Sequence, residues 1–387
     1  MRVAMFTETW LPNRDGVVTS LVSFRRALEA LGHEVFIFAA GSHETRVANR
    51  DDHVRIYTGP RWTPYPDYRL ALRPGPSKRL LESLQVDLIH SHGTAFMGVK
   101  AVRCARLHGI PLVLTFHTRV EDATSYVTRH RTREEALRRL IWAWHRWYFH
   151  QCDAIITPTR SVEEDLLRGA RAGIRRTIVL PTGVDTVRFA GGEGSVWRER
   201  LGIGRGPLVV TVGRVAWEKN LGTLIEAAAR LVRERPDVTF AVGGKGPALE
   251  HYRREVQRRG LDESVRFLGF VPDEELPGLY GAADAFVMPS TFETQGIALL
   301  EAMAAGLPVA AADTGGPTHF VEDGANGFLF EGKDADACAR AIARALEAQA
   351  GVREAARRTA AAYTERGQAE SLARAYAEVL GGARAAG

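Results

Sequence analysis

"AFVMPSTFETQGIALLEAMAAGLP", residues Ala285 to Pro308, contains the arrangement that repeats along this chain. The apolar run AFVM reads as a short buried strand. The turn TFETQG follows, and a helical pattern then runs from about Gly296 to AAGLP, where Gly306 and Pro308 provide a stop. Glu293 therefore falls in a strand-to-helix loop and Glu301 inside the helix. The helix N-terminus between them carries unpaired N–H groups and the positive end of the helix dipole, a seat for phosphate. A carboxylate beside that seat can accept hydrogen bonds from hydroxyls of the same ligand. The alternative is that Glu293 caps the helix and Glu301 faces water, and spacing alone leaves both readings open.

Outward from this stretch the same order recurs. RVAMF, EVFIFAA, VDLIHSH, PLVLTFH, AIITPT and TIVLPTG are apolar runs ending in small or polar residues, with helical spacing in segments such as VVTSLVSFRRALEALG. A Gly-rich, charged break lies at residues 189–207, and the alternation restarts with LVVTVGR, VTFAVGG, VRFLGF, AFVMPS and GFLF. Short apolar strands alternating with helices imply parallel sheets covered on both faces. The expected class is α/β, with two doubly wound domains over residues 1–188 and 189–358. An Ala-rich helical tail, 359–387, is placed to pack back on the first domain. Such sheets bind ligands outside the carboxyl ends of their strands, and two facing each other would form a cleft.

With 387 residues, 45% apolar and 25% charged, the chain is long enough for two cores and has the composition of a soluble protein. No run approaches the ~18 apolar residues of a spanning helix, and MRVAMFTETW lacks the pattern of a signal peptide. Cys104, Cys152 and Cys338 are widely spaced, suggesting buried thiols in a reducing cytoplasm rather than disulfides or a metal site. Charge is uneven: residues 1–190 hold 28 Lys and Arg against 19 Asp and Glu, a surplus of +9, whereas the remainder carries −4. One half is thus suited to an anionic partner.

The loop of VGRVAWEKN supplies Arg214 and Lys219 after the strand LVVTVG. Two fixed cations there can neutralise a pyrophosphate without a metal, unless they are simply solvated. Gly243 and Gly244 in GGKGP follow another strand, but Lys245 lacks the Ser or Thr of a Walker loop, so a tight turn is the plainer reading. The DAD at Asp334–Asp336 reads as a helix N-cap rather than a metal motif. In the first half, Gly16 sits where backbone can approach a ligand, and His117 directly follows a buried strand. The segment Arg129–His150 holds six arginines and three tryptophans, including Arg138, Arg139, Trp142, Arg146 and Trp147. Basic residues interleaved with Trp suit a membrane interface; a core helix with a charged outer face is the competing reading, and nucleic acid fits less well.

Taken in order, MRVAMFTETWLPNRDGVVTSL, VGRVAWEKN and ETQGIALLEAMAAGLPV resemble the opening, the Arg/Lys diphosphate loop and the E-x7-E signature of family 4 retaining glycosyltransferases, over nearly the whole chain. The resemblance implies the GT-B architecture of two Rossmann-like domains and a nucleotide-sugar donor, with no metal or other cofactor required. Carried over, Glu301 would hold the ribose hydroxyls, and Arg214 and Lys219 the diphosphate. Glu293 and the backbone from Thr294 through Gln295 and Gly296 to Ile297 would grip the hexose and distal phosphate, with Gly243 and Gly244 nearby. His117 and Gly16 would approach the same sugar-phosphate from the opposite domain. ETQG, YPDYRLAL and FHT are further similar to bacterial enzymes that transfer glucose to diacylglycerol. That similarity implies UDP-glucose as donor, a lipid acceptor, and a cytoplasmic location at the anionic inner face of the cell membrane. GDP-mannose with a phosphoinositide, glycolipid or soluble acceptor is the alternative within the family. A non-catalytic nucleotide-sugar-binding module and a nucleotide-sugar epimerase are the alternatives outside this transfer reaction.

Overall fold

The structure, a computed structural model, describes residues 1–13, 15–62, 65–117, 131–170 and 173–386. Thr118 of FHT, the stretch RVEDATSYV, and the first two residues of the Arg-Trp segment lie outside the described residues, as does Arg14. The chain divides into two units, Met1–Gly183 with Glu365–Gly387, and Val184–Thr364. Both crossings fall at one place, because Val184 bridges Thr364 and its N–H donates to the Tyr363 carbonyl at 2.8 Å. They lie at 183/184 and 364/365, against the 188/189 and 358/359 read from composition.

The first unit is built on seven parallel strands: β1 (Arg2–Thr7), β2 (Glu34–Gly41), β3 (Val54–Thr58), β6 (Leu88–Ser91), β7 (Leu112–Thr115), β8 (Ala154–Thr157) and β9 (Thr177–Val179). Their order is β3-β2-β1-β6-β7-β8-β9. A small antiparallel pair, β4 (Arg61–Trp62) and β5 (Tyr65–Arg69), accompanies it. The second unit has six parallel strands, β10 (Leu208–Val212), β11 (Thr239–Gly243), β12 (Val265–Gly269), β13 (Ala285–Met288), β14 (Val309–Ala312) and β15 (Phe328–Phe330), ordered β12-β11-β10-β13-β14-β15.

The unbroken apolarity of these strands has a direct cause. In β1, Val3 and Met5 pack with Leu21, Phe24 and Leu28 of the helix Gly16–Ala30, whereas Ala4 and Phe6 pack with Met97 and Ala101 of the helix Phe96–His108. In β10, Val209 faces Leu224 and Ile225, and Val210 faces the opposite cluster around Phe286 and Met303. Successive strand residues point to opposite faces, so burial of both faces requires an apolar residue at every position. The final helix, Glu365–Ala386, places Ala369, Leu372 and Tyr376 against Val3 and Met5, which makes it part of the first unit's core.

Strand order reverses between β1 and β6 in one sheet and between β10 and β13 in the other. At such a point the following loops diverge to opposite faces and leave a crevice at the carboxyl edge. These are two Rossmann-type sheets.

Candidate functional site

In the second unit, β10 and β13 are parallel neighbours, and the loops that follow them are fastened together. Asn220 takes a left-handed conformation, φ 53°, and its amide donates to the carbonyls of Pro289 at 3.0 Å and Gly332 at 2.6 Å. The Ser290 hydroxyl donates to the Glu218 carbonyl at 3.2 Å and the Phe292 carbonyl at 2.9 Å. These bonds hold Lys219 beside Glu293, whose Oε1 accepts from Lys219 Nζ at 2.5 Å. The two side chains are 26% and 15% exposed, so the pair stands at the surface of the crevice with much of its hydration removed. Arg214, Thr211, Gly213, Ser290, Lys219 and Glu293 line one small hollow that is partly open to solvent.

Two glycines allow the backbone to converge here. Gly244 has φ +145°, and a Cβ on it would lie 1.8 Å from the Gly213 carbonyl oxygen. Gly296, at φ +86°, is the N-cap of the helix Ile297–Ala304, and no side chain caps that end. The first N–H groups of this helix therefore adjoin the loop that carries Glu293. Glu301 accepts a 2.9 Å hydrogen bond from the buried Tyr280 hydroxyl, whose pKa is pushed well up by burial and by this carboxylate. Gln295 is buried against Gly316, while Thr294 is half-buried. Asp334 caps its helix by accepting from Asp336 and Ala337, as the DAD spacing indicates. The ensemble offers two cations, free helix N–H groups and two carboxylates along one sheet edge, which suits a diphosphate flanked by hydroxyl groups.

In the first unit, Gly16 is the first residue of its helix, after the N-cap Asp15, rather than a loop residue. Nothing lies within 4 Å of a Cβ built there, so the fold itself leaves that space open. His117 does not stand alone: its Nε2 lies 3.1 Å from His92 Nδ1, and the two rings stack. His92 in turn lies against His90, ring centroids 4.1 Å apart. His90 is held by the Tyr376 hydroxyl at Nδ1, 2.6 Å, and by the Thr115 hydroxyl at Nε2, 2.7 Å. Burial drives these imidazoles toward the neutral form, His90 to about 3 and His117 to about 4. Glu8 follows β1 and is buried; its Oε1 accepts from Met97 N at 2.8 Å and Gly98 N at 3.1 Å, and burial raises its pKa to about 7. Four of the five buried side-chain polar atoms without a partner among the described residues belong to this unit: Thr9 Oγ1, His92 Nε2, His145 Nδ1 and Thr157 Oγ1. Thr9, His92 and Thr157 sit at or just past the carboxyl ends of β1, β6 and β8.

The helix Arg131–Phe149 separates its tryptophans. Trp142 is half-buried in the core cluster and fills the space above Gly169. Trp144 and Trp147 are exposed at 41% and 39%, their rings 4.8 Å apart, near exposed Leu140. Arg138 and Arg139 are exposed and Arg146 half-buried. A helical wheel distinguishes the outer pair, three residues apart, from Trp142, and so could have exchanged Trp142 for Trp144. The network of His90, His92 and Tyr376 had no such signal, since it spans 286 residues of sequence. Among the described residues, no group of three or more His, Cys, Asp or Glu side chains is placed to hold a metal ion, and no helix is long and apolar enough to cross a membrane.

Residues 14–188 match the family model described as Glycosyltransferase Family 4, and residues 195–366 that described as Glycosyl transferases group 1. Among curated proteins, the alpha-monoglucosyldiacylglycerol synthase of Acholeplasma laidlawii is 31% identical over 342 residues, covering 85% of each chain. A GDP-mannose-dependent alpha-mannosyltransferase of Corynebacterium glutamicum is 29% identical over 341 residues, 86% of this chain and 77% of that one. Among solved structures, Anabaena HepE in complex with UDP-glucose superposes with a TM-score of 0.77 at 20% identity, covering 98% of this chain and all of the other, a likeness of fold.

Proposed function

Because the chain belongs to glycosyltransferase family 4, we propose that it is a retaining hexosyltransferase that moves glucose from UDP-glucose to diacylglycerol at an anionic membrane surface. The observation that carries this reading is the Lys219–Glu293 pair beside the uncapped helix at Gly296. A donor diphosphate competes with Glu293 for the Lys219 ammonium. When it arrives, Lys219 and Arg214 take the phosphate charge, and Glu293 turns to the hydroxyls of the hexose. Glu301, fixed by Tyr280, receives the ribose hydroxyls, while backbone from Thr294 to Ile297 and at Gly243 and Gly244 lies along the phosphates.

The reaction breaks the bond between the anomeric carbon and the diphosphate oxygen and forms one from that carbon to the acceptor hydroxyl oxygen. The hydroxyl proton passes to a phosphate oxygen of the departing diphosphate, on the same face, so configuration is retained. Negative charge grows on the leaving group, where prearranged cations and N–H groups act most strongly; in this reading they replace a metal ion. In this reading Gly16 and His117 keep the sugar-binding roles that the family resemblance implies for them. Support for a lipid acceptor is twofold: the name of the Acholeplasma relative, and the exposed Trp144–Trp147 pair with Arg138 and Arg139 on one helix. The location proposed is the cytoplasmic face of the cell membrane.

The test is the purified chain with UDP-glucose or GDP-mannose, each with and without diacylglycerol in anionic micelles, chelator present. Glucosyl-diacylglycerol with retained configuration, from UDP-glucose alone, is the expected product. Turnover confined to GDP-mannose would favour the chemistry named for the Corynebacterium relative, and an inverted product would refute the mechanism.

A further inference from the structure

We propose that His92 is a positioning residue for His117: it donates from Nδ1–H to His117 Nε2 and thereby fixes His117 in the tautomer whose proton is on Nδ1. The geometry supplies the contact, 3.1 Å between His92 Nδ1 and His117 Nε2 with stacked rings 5.4 Å apart. A neutral imidazole has one donor and one acceptor nitrogen, so of this facing pair one must donate and the other accept.

The far side of His92 decides which. Its Nε2 is buried and has no partner among the described residues. A proton there would leave a buried donor with no acceptor, which is rarer and more costly than an unused lone pair. The His92 proton is therefore on Nδ1, and His117 Nε2 is the acceptor. The bond at one ring nitrogen sets the state of the other, so His117 carries its hydrogen on Nδ1; that atom, unlike His92 Nε2, is not among the buried side-chain atoms without a partner, and it belongs to a half-buried ring on which an N–H can meet solvent. Burial keeps both rings neutral, consistent with one proton each.

His92 is itself immobilised from behind. It rests on His90, whose two nitrogens are occupied by Tyr376 and Thr115. Tyr376 comes from the helix Glu365–Ala386, at the far end of the chain. The orientation of His117 is thus referred, through the rings of His92 and His90, to the last helix. This matters for turnover only if His117 meets the substrate, so the kinetic part of the inference rests on the function proposed above; the tautomer does not.

The experiment uses the full chain labelled with ¹⁵N-histidine, in which protonated and unprotonated ring nitrogens resonate far apart, with peaks assigned through His92 and His117 variants. His117 is expected to show a protonated Nδ1 and an unprotonated Nε2. His92→Phe keeps the stack and removes the donor, so His117 should shift toward the Nε2–H form. His92→Asn, whose amide can donate from near the Nδ1 position, should restore the original pattern. Where transfer activity is measurable, His92→Phe should lower kcat about twofold to tenfold, the effect of losing one neutral supporting hydrogen bond, with donor KM little changed, and His92→Asn should recover most of it. A proton on His117 Nε2 in the parent protein overturns the proposal, even if His92→Phe does not fold. An unaltered His117 pattern in folded His92→Phe overturns it equally. A shifted tautomer with unchanged kcat would remove its kinetic part, while absence of any turnover in the parent counts against the transferase reading alone.

Discussion

Acid should weaken the first unit by an amount that Glu8 controls. His90, His92 and His145 are buried there with pKa values depressed from 6.5 by burial, His90 to about 3 and His145 to about 4. A depressed histidine binds its proton more readily when unfolded, so its stabilising contribution is complete above pH 6.5 and is lost as pH falls below that value. The loss is about 1.4 kcal/mol per pH unit, or about 2 kcal/mol each by pH 5 for His90 and His145 and about 4 kcal/mol for the two, with His92 acting in the same direction. Glu8 acts in the opposite direction. Its pKa is raised from 4.5 to about 7, so the folded state holds the proton first and gains about 2–3 kcal/mol between pH 7.5 and 5. The net loss from these groups is about 1–2 kcal/mol, with further loss in the same direction from His92 and the half-buried His117. Glu8→Gln keeps an oxygen for Met97 N and Gly98 N but removes the titration, exposing the full loss. At about 2–4 °C per kcal/mol for a unit of this size, the melting midpoint of the first unit should fall by about 5 °C in the parent and about 12 °C in the variant between pH 7.5 and 5. Calorimetric scans at the two pH values measure both. A pH-insensitive midpoint in Glu8→Gln, or a shallower dependence than in the parent, would refute the assignment of these groups.

Lys219→Ala removes a charge-assisted contact to the expected diphosphate, worth about 1.5–3 kcal/mol, so UDP affinity by calorimetric titration should fall about 10- to 100-fold; unchanged affinity would sink the diphosphate assignment. Gly244→Ala places a methyl 1.8 Å from the Gly213 carbonyl oxygen at φ +145°, so the loops after β10 and β11 must part, and a loss of about 2–4 kcal/mol should appear in denaturant unfolding. Trp144→Ser with Trp147→Ser should weaken sedimentation with phosphatidylglycerol vesicles, and binding by the parent should decline with salt as the arginines are screened. Equal sedimentation of parent and double variant would point to another membrane-facing surface.

What the sequence discloses and what it withholds divide along a physical line. Doubly wound sheets were legible because burial of both faces demands uninterrupted apolar strands, and no other architecture explains six such runs before a Gly-rich break and five after it. The grouping of Arg214, Lys219, Glu293 and Gly296 at one sheet edge was legible too, since each follows a strand and parallel strands present all their carboxyl ends together. Which of them touch was not. The Lys219–Glu293 bond depends on Asn220 and Ser290 joining two loops, residues that read as ordinary turn formers. Glu301 read as a carboxylate awaiting hydroxyls, yet it already holds the Tyr280 phenol, whose position no periodicity fixes. His117 is the sharper case: a lone histidine after a strand is uninformative until β6, β7 and the last helix are brought together around it. Directional hydrogen bonds between residues distant in sequence leave no period to detect. The apolar pattern specifies which edges carry the chemistry; the rotamers and tautomers at those edges are set by tertiary neighbours, and so had to be observed.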